Sequence, residues 1–257
     1  MRSRLLCTMA AVLMAAGCGG SPAAGTLKHS AAAGGQGDAV AIHGDASTPV
    51  NEIAVKAIAD LQSYWAGEFP KLYGKDYKPV EGGFYSVNPS KDDPPPCAQD
   101  ISEVSGNAFY CETKDVVAWD AEGLLPELQS KFGDFVIPIV FAHEWGHAVQ
   151  GRSDFTARTV TKELQADCFA GGWAKHAQDT KVFTADAAQL DAALAGILQL
   201  RDTPGTSNID PSAHGSGFDR VGAFQDGYDN GPEKCKNYRD DDPVVVELPF
   251  NDEEDAA

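Results

Sequence analysis

Apolar side chains recur at every fourth position through Ile53, Ala57, Leu61 and Trp65, which lays a single apolar stripe along one face of an α-helix. Thr48-Pro49 stands just ahead of them, a capping residue followed by a proline suited to the first helical position. The spacing predicts a helix from there to about Gly67. Three runs rich in β-formers follow: Gly82–Val87, Ala108–Cys111 and Val116–Trp119. The last two read as neighbouring strands. Asp92–Cys97, with its three prolines, reads as a loop.

Helical patterns then take over. Gly123–Lys131 reads as a short helix and Phe135–Gln150 as a longer one, with Asp134 as its N-terminal cap and Gly151 as its C-terminal glycine. Pro138 falls near the first turn, where proline is tolerated. Val160–Ala177 has helical composition except at Gly171-Gly172, which either allow close packing or mark a kink. Thr184 is a cap for a further helix striped by Leu190, Leu194, Ile197 and Leu198. Thr203–Ser216 reads as loop, Val244–Val246 as a short strand, and 251–257 as an acidic tail. No internal repeat is visible. The pattern is α+β, mostly helical, with one folded domain over 48–250.

The N-terminus belongs to a different class of segment. Arg2 and Arg4 precede a 12-residue apolar run, Leu5–Ala16, too short to span a bilayer and typical of a signal peptide over 1–17. Ala15-Ala16-Gly17-Cys18 resembles a bacterial lipobox, which would make Cys18 the lipidated first residue of the mature chain; plain secretion is the alternative. Either reading exports the protein, the first to the outer face of the bacterial cytoplasmic membrane on a lipid anchor. The Ala-, Gly- and Ser-rich stretch that follows, within 18–47, reads as a flexible tether.

Charge narrows the function classes. With 20 basic and 38 acidic residues the formal net charge is −18, the opposite of a nucleic-acid-binding footprint. The acidic clusters near the C-terminus read as a solubilising surface. Once Cys7 and Cys18 are set aside, Cys97, Cys111, Cys168 and Cys235 remain, an even number in an exported protein. Of three possible pairings, Cys97–Cys111 closes a short loop, and Cys168–Cys235 then ties a helix to the C-terminal region.

The chemistry lies in His143-Glu144-Trp145-Gly146-His147, an H-E-x-x-H pattern. Two His one helical turn apart share a face and can meet one zinc ion. Glu144, offset by about 100° around the helix, is placed to act on a water as general base. A third ligand is needed. Glu163 stands 16 residues after His147, and Asp167 is one turn further on; Glu163 is the candidate ligand and Asp167 the candidate acceptor that orients a ligating His. No His follows within eleven residues of His147 to serve as a third imidazole.

His143 to Gln150, followed by Glu163-Leu164-Gln165-Ala166-Asp167-Cys168-Phe169-Ala170-Gly171, resembles the neutral zinc metallopeptidase family of bacteria. Phe109-Tyr110-Cys111 with Cys97, and His214-Gly215-Ser216 with Arg220 and Phe224, resemble it as well. The resemblance implies a zincin-like fold and a gluzincin-like site: His143, His147 and Glu163 on Zn2+, Glu144 as base, Asp167 behind a ligand. His214 lies in a Gly- and Ser-rich loop and is a candidate contact for the oxyanion or substrate, with a surface role as the alternative. Val116–Trp119 is either the edge strand that binds substrate backbone or a core strand. His29, His43 and His176 receive no role, and the four Trp are assigned to packing.

The resulting expectation is an exported, monomeric zinc metallopeptidase acting on a peptide or protein substrate. Two other readings stay open: a non-catalytic surface lipoprotein or binding module with a structural or vestigial zinc site, and a zinc hydrolase for a cell-wall amide.

Overall fold

The computed structural model describes residues 40–201 and 214–240. Arg2, Arg4, Cys7, Cys18, the tether up to residue 39, Val244–Val246 and the acidic tail lie outside the described residues. No described helix is long and apolar enough to cross a membrane.

Among the described residues there are seven helices and one three-stranded sheet, a mostly helical α+β architecture. Helix α1 spans Pro49–Tyr73, opened by Thr48, whose hydroxyl accepts the Asn51 N–H. It runs past Gly67 because Phe69 and Leu72 continue the apolar stripe into the core, and it ends on Gly74, where φ is +64°.

Strand β1 (Gly83–Val87) pairs parallel with β3 (Val116–Asp120), and β2 (Ala108–Cys111) pairs antiparallel with β3. The order β1-β3-β2 puts β3 in the centre. Every β3 residue is buried. Val116–Trp119 is therefore the core strand and not the substrate-binding edge. A continuous apolar run suits a strand covered on both faces, and Trp119 packs edge-on to Phe141 while its indole donates to Asn51. The outer edge belongs to β2. At the other side of the sheet His43, assigned to the tether on sequence, bridges to β1: its N–H donates to Phe84 and its carbonyl accepts from Ser86.

Helix α2 covers Leu124–Phe132 and α3 covers Val136–Ser153. Asp134 does not cap α3; its carboxylate accepts from the Gln129 side chain. Gly151 does not end it either. The helix runs on to Ser153 and stops at Asp154 in the left-handed region, φ 59°. Helix α4, Thr159–Asp179, passes straight through Gly171-Gly172. α5, Ala187–Ile197, is capped by Asp186 in a reciprocal box with Gln189, and not by Thr184.

Two helices have no counterpart in the sequence reading: α6 (Gly217–Asn230) and α7 (Pro232–Cys235). α6 lies so close to α4 that a Cβ at Gly171 would sit 1.9 Å from the Phe224 carbonyl oxygen, and one at Gly227 1.7 Å from that of Cys168. Of the two readings of Gly171-Gly172, close packing is the one the fold adopts. Cys168–Cys235 links α4 to α7, and Cys97–Cys111 pins the proline loop to the end of β2.

Candidate metal centre

Helix α3 is apolar nearly all round, with Val136 to Ala142 buried. Such a helix is central, and polar side chains within it need partners. His143 and His147 share one of its faces, and α4 returns against that face. The approach is close: a Cβ at Gly146 would stand 2.5 Å from the Ala166 Cα. Glycine within the motif thus lets the two helices meet where the acidic pair of α4 lies.

The contact brings Glu163 between the two imidazoles. His143 Nε2 is 3.3 Å from Glu163 Oε2, and His147 Nε2 is 3.3 Å from Oε1. One donor atom from each residue lies within 4.8 Å of the others. Both rings are held from behind. His143 Nδ1 is 2.8 Å from Asp167 Oδ1, and His147 Nδ1 is 3.0 Å from Gln150 Oε1. The Gln150 amide is itself fixed by donating to the Lys162 carbonyl at 2.6 Å. With Nδ1 donating outward, each Nε2 lone pair points inward.

Asp167 is fully buried and does not face His143 alone. Arg220 of α6 donates to it through Nε and Nη2 at 2.7 and 2.9 Å. Burial opposes its ionisation, yet Arg220 and His143 together hold its carboxyl below the usual carboxylate range. Glu163 behaves alike: burial resists the charge, and hydrogen bonds from His143 and His147 pull it well below the ordinary value. For His143 burial acts downward, but Asp167 and Glu163 overcome it and push the imidazole up to about 10. The two carboxylates thus favour positive charge at this point, against the effect of burial.

Glu144 sits beside the pair, and its carboxylate accepts the Tyr110 backbone N–H of β2 at 2.8 Å. Burial raises its pKa above the ordinary value against the pull of the two His. The cluster opens onto a cavity of about 820 Å³ whose walls include Ala108, Tyr110, Glu112, His214 and Arg220. His143, Glu144, His147, Glu163 and Asp167 thus meet as the motif spacing suggested, and His214 lines the same cavity.

Sequence reasoning assigned no role to Gln150, Tyr110 or Arg220. Gln150 stands three residues after His147, a spacing that places it on the same helix face, so a signal existed. The Tyr110 contribution comes from its backbone and carries no side-chain signature. Arg220 was visible only within the resemblance.

Two imidazoles, one carboxylate, a buried base and a cavity define the class: a helical protein with a His-His-Glu metal-type site. The donor set, two nitrogens and an oxygen converging on one point with both rings oriented from behind, fits Zn2+. Residues 151–238 match the model of a family described as putative neutral zinc metallopeptidase. That span holds Glu163, Asp167, His214, Arg220 and Cys235 and begins just after the H-E-x-x-H motif.

Among curated proteins, uncharacterized proteins of Mycobacterium tuberculosis and Mycobacterium bovis are each 32% identical over 171 residues, covering 55% of this chain and 58% of their own. The uncharacterized protein YpfJ of Escherichia coli K12 is 26% identical over 212 residues, covering 70% of this chain and 69% of its own. The match thus spans little more than half the length of the mycobacterial relatives. No solved structure matches.

Proposed function

We propose that the chain is a zinc-dependent peptidase, with His143, His147 and Glu163 as ligands. One observation carries this reading: both Nε2 atoms face the two oxygens of one carboxylate at 3.3 Å, with each Nδ1 already engaged. Zinc bound there would polarise a scissile carbonyl and lower the pKa of a water to roughly 7.

The residues of the chain supply the rest. Glu144, with a raised pKa, takes the proton of the attacking water and passes it to the leaving amine. The Tyr110 N–H fixes one Glu144 oxygen and leaves the other for this transfer. Because that N–H points away from β3, antiparallel alternation turns the Ala108 and Tyr110 carbonyls to the cavity side as well. A substrate backbone adds to this edge as an extra strand. His214 lines the same cavity and is the candidate contact for the oxyanion or the substrate. The cavity favours this reading over a structural site, since a structural ion is closed by protein on every side.

The purified zinc-loaded domain is expected to degrade an unfolded protein, and a chelator to stop it. Glu144→Gln is expected to retain zinc and lose hydrolysis. Full activity of that variant would refute the assigned base. Export and a lipid on Cys18 belong to the same proposal and are supported by the two disulfides, which suit an oxidising compartment. Metabolic labelling with a fatty acid, lost in Cys18→Ser, tests the anchor.

A further inference from the structure

Arg152 lies five residues beyond His147, past the motif, and its side chain is 9% exposed. Its guanidinium gathers four segments. Nη1 donates to the Tyr110 hydroxyl at 3.0 Å and to the Ala148 carbonyl at 3.1 Å. Nη2 donates to Asp115 Oδ1 at 2.8 Å and to the Pro79 carbonyl at 2.9 Å. Nε donates to the Lys78 carbonyl. The guanidinium carbon lies over the rings of Tyr77 and Tyr110, 5.6 and 5.8 Å from their centroids.

The partners are themselves connected. Tyr110 donates its hydroxyl to Asp115 at 2.9 Å, and Asp115 accepts the Glu81 N–H through its other oxygen. Tyr77 accepts from the indole of Trp145, inside the H-E-x-x-H motif, at 3.0 Å. All five N–H groups of Arg152 point into a fixed fork that a lysine cannot copy.

The geometry points to Arg152 as a positioning residue: it locks the edge strand β2 to the helix that carries Glu144, and so sets where the Tyr110 N–H meets the base. The inference rests on the peptidase reading for its consequence, not for its geometry. Arg152 touches neither Glu144 nor the cavity. It acts through the Tyr110 side chain, whose own backbone contacts Glu144. A strand slightly displaced at this point would misplace both the base and the substrate backbone, and a displacement of about 1 Å can cost on the order of 100-fold in rate. A role in folding alone would leave activity per folded molecule intact.

The test compares zinc-loaded wild-type protein with Arg152→Lys and Tyr110→Phe. Three quantities are read: zinc affinity by chelator competition, amide exchange at residues 108–111, and kcat and KM on a long and a minimal peptide. The proposal expects zinc affinity within about twofold, since no ligand is touched. It expects Tyr110 amide exchange at least tenfold faster, because that N–H loses its fixed acceptor. It expects kcat to fall roughly 10–100-fold on both peptides, with KM rising on the long one only.

Unchanged exchange and kcat in a folded Arg152→Lys protein overturn the proposal. So does a loss of activity that simply follows loss of zinc. If Arg152→Lys fails to fold, Tyr110→Phe carries the same comparison, since it removes one hydroxyl and keeps the ring. If wild-type protein hydrolyses nothing while exchange at Tyr110 still responds, the positioning stands and the peptidase reading falls.

Discussion

Asp167 joins three elements at one atom group: it takes hydrogen bonds from His143 of α3 and from Arg220 of α6 while standing on α4. Its replacement by Asn keeps the shape and removes the charge. Two consequences are expected. The His143 ring loses the partner that fixes its tautomer, so zinc affinity falls roughly 10–100-fold. Arg220, 2% exposed, loses the carboxylate that accepts from its Nε and Nη2, which is expected to cost up to about 3–5 kcal/mol. Chelator competition and urea unfolding of Asp167→Asn measure the two effects separately. At this scale the sequence was informative wherever chemistry follows helical spacing. His143, Glu144 and His147, and Glu163 with Asp167, fall on common faces because of the helix repeat. Arg220 and Arg152 find partners across the fold, 53 and 37–74 positions away, so no local pattern announces them.

Among the elements, α6 shows where local reading stops. Its sequence, Gly217-Phe218-Asp219-Arg220-Val221-Gly222-Ala223-Phe224-Gln225-Asp226-Gly227, is poor in helix formers, and glycine ordinarily disfavours a helix. Packing overrides this. Gly227 is there because α4 passes within reach of its missing Cβ, and Gly171 answers it from the other side. Gly171→Ala is expected to force the helices apart and destabilise the protein by roughly 1–3 kcal/mol or more, read as a lower urea midpoint. Because Arg220 rides on α6, the same variant should also weaken zinc binding. Stability equal to wild type would mean that the contact is looser than described. The opposite error occurred at helix ends. Gly67 and Gly151 looked like stops, yet Phe69 and Leu72 in α1 continue an apolar stripe across the first, and α3 simply continues through the second. For β3 the apolar run was legible, but its central place depends on which strands flank it.

In the whole molecule, the site is a junction between helices that are distant in the chain, so what ties them matters. Cys168 follows Asp167 directly, and its disulfide to Cys235 closes a separation of 67 residues. In the chain-entropy model a loop of that size contributes about 4 kcal/mol. The double variant Cys168→Ala with Cys235→Ala is therefore expected to lose about 2–4 kcal/mol, seen by chemical denaturation, while Cys97→Ala with Cys111→Ala, which closes only 14 positions, should lose less. Equal losses would contradict the chain-entropy account. The α+β class was legible from pattern and the presence of disulfides from parity, while the pairing was an expectation from the short loop that Cys97–Cys111 closes. The way α6 closes over α4 was not, because it is a property of surfaces and not of sequence neighbours.

The central claim is that His143, His147 and Glu163 converge on one zinc ion and leave a position open to the cavity. Anomalous diffraction at the zinc edge, from crystals of the zinc-loaded protein, tests it most directly. The account predicts one strong peak within bonding distance of both Nε2 atoms and a Glu163 oxygen, with solvent completing the coordination. A peak elsewhere, or a fourth protein side chain closing the site, would contradict it.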